Sequence, residues 1–215
     1  MEEKLAKVIA YAQERLSEDQ SGHGFDHASR VAKLAEKISA DLADPSVDPF
    51  VVAAAAYLHD TIDDKVVAAP EEAVEELRAF LTFENISTAQ ILEILFIIDN
   101  LSFSKEQFGT ASELTINGQI VQDADRLEAL GAIGIMRTAY FGGAHGNLLY
   151  DPAIQPRELH SKTEYREEST VVNHFYEKLF LIVDSMKTPY GRREAQRRKA
   201  FMEEFLTEFY HEWND

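Results

Sequence analysis

The segment PFVVAAAAYLHDTIDDK, Pro49–Lys65, runs from a proline through an Ala-rich apolar stretch and ends in one histidine and three aspartates within six residues, His59 to Asp64. Asp48 in front of Pro49 offers an N-cap followed by a first-turn proline, so the stretch reads as a helix. Ionisable residues gathered where such a helix ends belong either to a solvated surface or to a site where something positive relieves them. The remainder of the chain has to distinguish the two.

Outward from this helix, the apolar residues keep helical spacing and no convincing period-2 strand is flanked by hairpin turns. Leu5, Val8, Ile9, Ala12 and Leu16 share one face, as do Val31, Leu34, Ala35 and Ile38. Pro70 opens a helix, Ser87 caps the next, and a further helical region covers about Ser112 to Tyr140, with Gly118 and Gly131 as breaks or kinks. From Phe141 to about Tyr165 the pattern lapses into a polar loop in which Gly142 and Gly143 could hinge a cover, and His145 and His160 lie within it. Two closing helices follow. The expected fold is all-α, a compact bundle of seven to nine helices forming one domain over residues 1–215, with a C-terminal helical extension from about residue 166.

Composition narrows the function. At 215 residues the chain can bury a sizeable core, and its 45% apolar content argues against disorder. Apolar runs such as ILEILFIID are broken by charge well short of the roughly 20 residues that a bilayer requires, so no membrane partner is expected. The amphipathic, acidic start MEEKLAKVIAYAQERL resembles no targeting peptide, and the absence of cysteine fits a cytoplasmic protein without a thiolate nucleophile. A net charge of −17 repels long nucleic acid. It does not repel a small phosphorylated metabolite, because a bound cation and a few basic side chains reverse the field locally.

Against that background the acidic and imidazole residues form a pattern. Adjacent His59 and Asp60 point about 100° apart on a helix and reach one ion only if it lies close to the backbone, which the small side chains of Ala53 to Ala56 would permit. His27 follows Asp26, read as an N-cap, in the first turn of its own helix. Asp123 and Asp125 sit in an otherwise apolar helix where an unpaired carboxylate is costly.

The order His27, His59-Asp60, Asp125 resembles the H…HD…D signature of the HD superfamily of metal-dependent phosphohydrolases. GHGFDHASRVAKLAEKI is similar to the family's H-x-x-R-V helix, DADRLEALGAIGI to its A-D-R-L segment, and FYEKL with TPYGRREAQRRKAFMEEF to a subgroup of small bacterial HD hydrolases. The resemblance implies an HD-type helical fold in which His27, His59, Asp60 and Asp125 hold one divalent ion: Mn, Fe, Ni, Co, Zn or Mg. HDTIDD is similar to the HD-x-x-E-D stretch of the guanosine tetraphosphate hydrolases, implying that Asp63 or Asp64 assists the attacking water; Asp63 stands where that stretch has Glu. His23, Arg30 and Arg126, close to the ligand segments, are the candidate substrate contacts.

The expected activity is hydrolysis of a nucleotide or related phosphorylated metabolite, the ion polarising a phosphoryl oxygen and activating water. Two other readings fit parts of the pattern. A dinuclear iron oxygenase of the same fold would need further histidines, and none lies between Thr61 and Ala124. A regulatory module would keep the four ligands and bind nucleotide without turnover.

Overall fold

The computed structural model describes residues 2–17, 24–63, 67, 69–159 and 169–215. Every regular element among them is helical, as the periodicity predicts, and the fold is all-α. Contacts cluster in two units, Met1–Asp125 and Arg126–Asp215.

The first unit holds α1 (Glu2–Arg15), α2 (Phe25–Leu42), α3 (Pro49–Leu58), α4 (Pro70–Phe83), α5 (Thr88–Asn100), α6 (Phe103–Gln107) and the greater part of α7 (Ile116–Glu128). Its centre is α3. Phe50, Val51, Val52, Ala54, Ala55, Ala56 and Leu58 are all buried, because a helix without a polar face is stable only when covered all round. α1, α2 and α5 provide that cover. The face of α2 built from Val31, Leu34, Ala35 and Ile38 is buried as its spacing predicts.

Polar capping fixes where α3 begins. The Asp48 side chain accepts from the Phe50 and Val51 amides, which a helix start otherwise leaves unsatisfied. Asp48 is itself held: its amide donates to Asn117 Oδ1 of α7 at 2.9 Å and its carboxylate accepts from Gln90 of α5 at 2.9 Å. α4 starts at Pro70 and α5 behind its Ser87 cap, both as expected.

The second unit contains α8 (Gly131–Ala144), α9 (171–184) and α10 (Pro189–Asn214). Gly131, with φ 76°, breaks the helical region between α7 and α8, and its Cα faces the Arg198 side chain of α10. α9 starts behind a Thr170 cap and winds as a π-turn over Phe175–Leu179. That turn contains Glu177, 4% exposed, whose carboxylate accepts from the Arg157 amide at 3.0 Å, the Arg157 guanidinium and the Ser169 hydroxyl. The Asn173 amide donates to Ile154 O, so the irregular segment before α9 is tied down at two points.

Several expectations need correction. Ten helices are present among the described residues rather than seven to nine, the short α6 having no strong periodic signal. α2 begins behind Gly24 as N-cap, and Asp26 lies within the first turn, bonded to Arg30. The helix before Asp60 ends at Leu58, and the chain passes on through tight turns in which Thr61 N donates to Leu58 O and Asp63 N to Asp60 O. The loop expected from Phe141 starts later, because α8 runs to Ala144. Gly142 is buried against Val171 inside this unit, so the small residue serves a close approach and not a hinge.

Candidate metal centre

The site is assembled in the first unit from three helices. Phe25 stacks on Tyr57, ring centroids 6.0 Å apart, joining the start of α2 to the end of α3. His27, in the first turn of α2, thereby meets His59, the C-cap of α3. Ala28, Ala32 and Ala35 on α2 and Ala54 to Ala56 on α3 are buried small residues in this helix pair. α7 contributes Asp125.

Four donor atoms converge. His59 Nε2 lies 3.2 Å from His27 Nε2 and 3.2 Å from Asp60 Oδ2. His27 Nε2 lies 3.5 Å from Asp60 Oδ2 and 3.3 Å from Asp125 Oδ1, which is 3.6 Å from His59 Nε2. Atoms each about 2.1 Å from a common ion stand roughly 3.0 to 3.4 Å apart, so this spacing suits a single divalent cation. His27, His59 and Asp60 are buried and form a group able to hold one. Two imidazole nitrogens and two carboxylate oxygens are donors that first-row divalent ions accept.

Sequence reasoning did not find the group that aims His59. Its Nδ1 lies 2.9 Å from the Ala56 carbonyl, which can only accept, so Nδ1 carries a proton and Nε2 is the nitrogen turned to the cluster, the one whose lone pair an ion would take. The signal was local: Ala56 is three residues back, where a helix ending at Leu58 leaves carbonyls in want of donors.

Electrostatics report the same convergence. Burial disfavours a charged His59, but the Asp60 carboxylate beside it and Asp125 outweigh burial, and its pKa is pushed up to about 9. Desolvation also opposes charge on Asp125, yet His27 and His59 hold its carboxyl well below the usual carboxylate range. In the absence of a metal, protons supply the positive charge that the carboxylates require.

The remaining candidates are distributed differently. Asp63 is half-buried, three residues beyond Asp60, and its carbonyl accepts from the Val67 amide. Asp64, His23 and His160 lie outside the described residues. Arg30 pairs with Asp26 at 2.8 Å. Arg126, 3% exposed, donates to Ser185 Oγ at 2.8 Å in the second unit. His145 stacks on Phe141 at the end of α8. Burial, reinforced by Lys178, pushes the His174 pKa down to about 3, so that imidazole is neutral.

This chain is similar to known proteins over most of its length. The HD domain family matches residues 24–130, a span that contains His27, His59, Asp60 and Asp125. YpgQ of Bacillus subtilis, an uncharacterized protein, is 34% identical over 204 residues, covering 93% of this chain and 89% of YpgQ. A crystal structure of YpgQ in complex with ADP aligns with a TM-score of 0.76 at 29% identity, covering 97% of each chain. A Lactobacillus plantarum protein of known structure is 41% identical with a TM-score of 0.88, covering 100% of this chain and 98% of its own. An HD-superfamily hydrolase from Bacillus thuringiensis is 36% identical with a TM-score of 0.77, covering 99% and 98%. This chain belongs to the HD-domain family.

Proposed function

We propose that the protein is a metal-dependent phosphohydrolase acting on a nucleotide or a related small phosphorylated metabolite, with His27, His59, Asp60 and Asp125 as the ligands of one divalent ion. The observation that carries this reading is the convergence of two imidazole nitrogens and two carboxylate oxygens at 3.2 to 3.6 Å beneath the acidic turn that follows α3. YpgQ, similar over nearly the whole chain, crystallised with ADP, which supports a nucleotide as the ligand class.

A divalent ion in this site supplies Lewis acidity toward a phosphoryl oxygen and toward water. The protein's part is to orient and to move protons. Ala56 O keeps His59 Nε2 unprotonated toward the ion by holding the proton on Nδ1. Asp63 or Asp64 accepts a proton as the water oxygen bonds to phosphorus and the bond from phosphorus to the leaving oxygen breaks. Arg30 and His23, which flank His27 in the sequence, bind the phosphate and offset its charge.

The test is a screen of phosphorylated metabolites against protein loaded separately with Mn, Mg, Co, Ni and Fe, read as phosphate or pyrophosphate release. At least one metal and substrate pair turns over, and His59→Ala abolishes that turnover together with bound metal by elemental analysis. Tight nucleotide binding without release under any metal overturns the hydrolase assignment in favour of a regulatory module.

A further inference from the structure

Next to the metal-ligand stretch, the first unit carries an open groove of about 780 Å³ between α4 and α5, within the size range of small-molecule sites. Ile62 forms part of its wall. Ile62 is two residues past Asp60, and two residues of chain span at most about 7 Å, so the groove begins within one nucleotide's reach of the proposed phosphate site. Its floor is apolar and uncovered. Leu92 is 55% exposed and Phe96 36% exposed, side by side at i and i+4 on α5, leaving a hydrophobic strip about one helical turn long.

The polar groups around that floor are mainly acceptors. Glu93 lines the groove, with Oε1 held at 2.9 Å by the Thr115 hydroxyl and at 2.8 Å by the Asn117 amide, which fixes the plane of its carboxylate. Asp99 at the end of the helix has its Oδ1 already paired with Lys105 Nζ at 2.6 Å, which leaves Glu93 as the carboxylate for a ligand, and Arg78 on α4 is the cation among the lining residues. An aromatic ring that stacks on Phe96 and offers an amino group to a carboxylate satisfies both features. Two fused rings cover Leu92 and Phe96 together, which a single ring does not.

We infer that this groove is a nucleobase subsite for an amino-bearing purine, with Phe96 and Leu92 as the stacking floor and Glu93 as the acceptor for the exocyclic amino group. The inference rests on the nucleotide reading above and names the part of the nucleotide that the metal centre does not contact. Adenine and guanine both carry such a donor, whereas hypoxanthine lacks one and uracil has only one ring.

The experiment is calorimetric titration of the metal-loaded protein with the hydrolysis-resistant α,β-methylene diphosphates of adenosine, guanosine, inosine and uridine, and with methylenediphosphonate, which has no base. One of the two amino-purine nucleotides binds at least tenfold tighter than the uridine analogue and methylenediphosphonate. Phe96→Ala removes about tenfold of that affinity, the scale of one base–aromatic stack, and leaves methylenediphosphonate binding unchanged. Leu92→Glu, at the more exposed position, does the same and guards against a folding defect in the first variant. Equal affinity for all bases, or amino-purine binding that neither variant alters, overturns the subsite while methylenediphosphonate binding leaves the phosphate reading intact. If the wild-type protein binds neither methylenediphosphonate nor any nucleotide, the phosphate reading fails and the subsite falls with it.

Discussion

At the scale of single residues, one turn of chain separates two kinds of carboxylate. Asp60 stands 3.2 Å from His59 Nε2, inside the donor cluster, while Asp63 lies past the end of the helix and reaches the Asp60 carbonyl through its amide. Ligation and proton transfer therefore separate by mutation. Asp60→Asn loses both metal and turnover, because an amide is a poor ligand and leaves His59 without its nearest counter-charge. Asp63→Asn and Asp64→Asn keep most of the metal, and the variant that removes the base loses about 10²-fold or more in turnover. Metal per chain and kcat on the best substrate decide between them; wild-type rates in both variants make the acidic turn a charged helix end and nothing more.

Among the elements, α8 shows why two glycines in sequence were read as a hinge. Gly142 and Gly143 weaken a helix by propensity, yet both lie inside it. The reason is packing: a Cβ on Gly142 would collide with Val171 Cγ2 of α9, whereas one on Gly143 would meet nothing within 4 Å. Gly142→Ala should thus destabilise by about 1–3 kcal/mol through overpacking, and Gly143→Ala should be neutral or stabilise by up to about 1 kcal/mol through propensity. Urea unfolding measures both. Similar stability in the two variants, combined with altered turnover in each, would return the pair to the role of a hinge. Other elements were invisible to periodicity for related reasons. α6 is too short to show a helical period, and the π-turn of α9 departs from that period while carrying Glu177, whose partners Arg157 and Ser169 lie outside the helix.

Across the whole molecule, a bound ion couples to stability, because four donors that repel or share protons when metal-free are satisfied together only in the folded chain. Saturating metal, at about 100-fold over its dissociation constant, adds roughly 2.7 kcal/mol by mass action. For a chain of this size that corresponds to a rise of several degrees in Tm, reversed by a chelator. His59→Ala should show neither the rise nor the reversal in a thermal melt. A full metal-dependent shift in that variant would place the stabilising ion elsewhere. No helix among the described residues is long and apolar enough to cross a membrane, in keeping with apolar runs interrupted by charge.

Legible in the sequence by itself were the class of fold and, through the resemblance its order carries, the candidate residues of the cluster. Helical spacing depends only on neighbours along the chain, and the order His27, His59-Asp60, Asp125 is a property of the chain, so both were legible before any helix was packed. The tertiary structure decided the rest. Arg126 spends a donor on Ser185, 59 residues away, a partner that no local pattern predicts, whereas Asp26 and Arg30 of α2 pair at the ordinary i, i+4 spacing. The network of Asp48, Asn117 and Gln90 that sets the start of α3 draws on three helices. The groove along α5 likewise exists only because α4 leaves Leu92 and Phe96 uncovered. The physical reason is the same in each case: periodicity states which face of a helix is apolar, but which side chains meet across helices depends on how the helices pack, and only the folded chain contains that information.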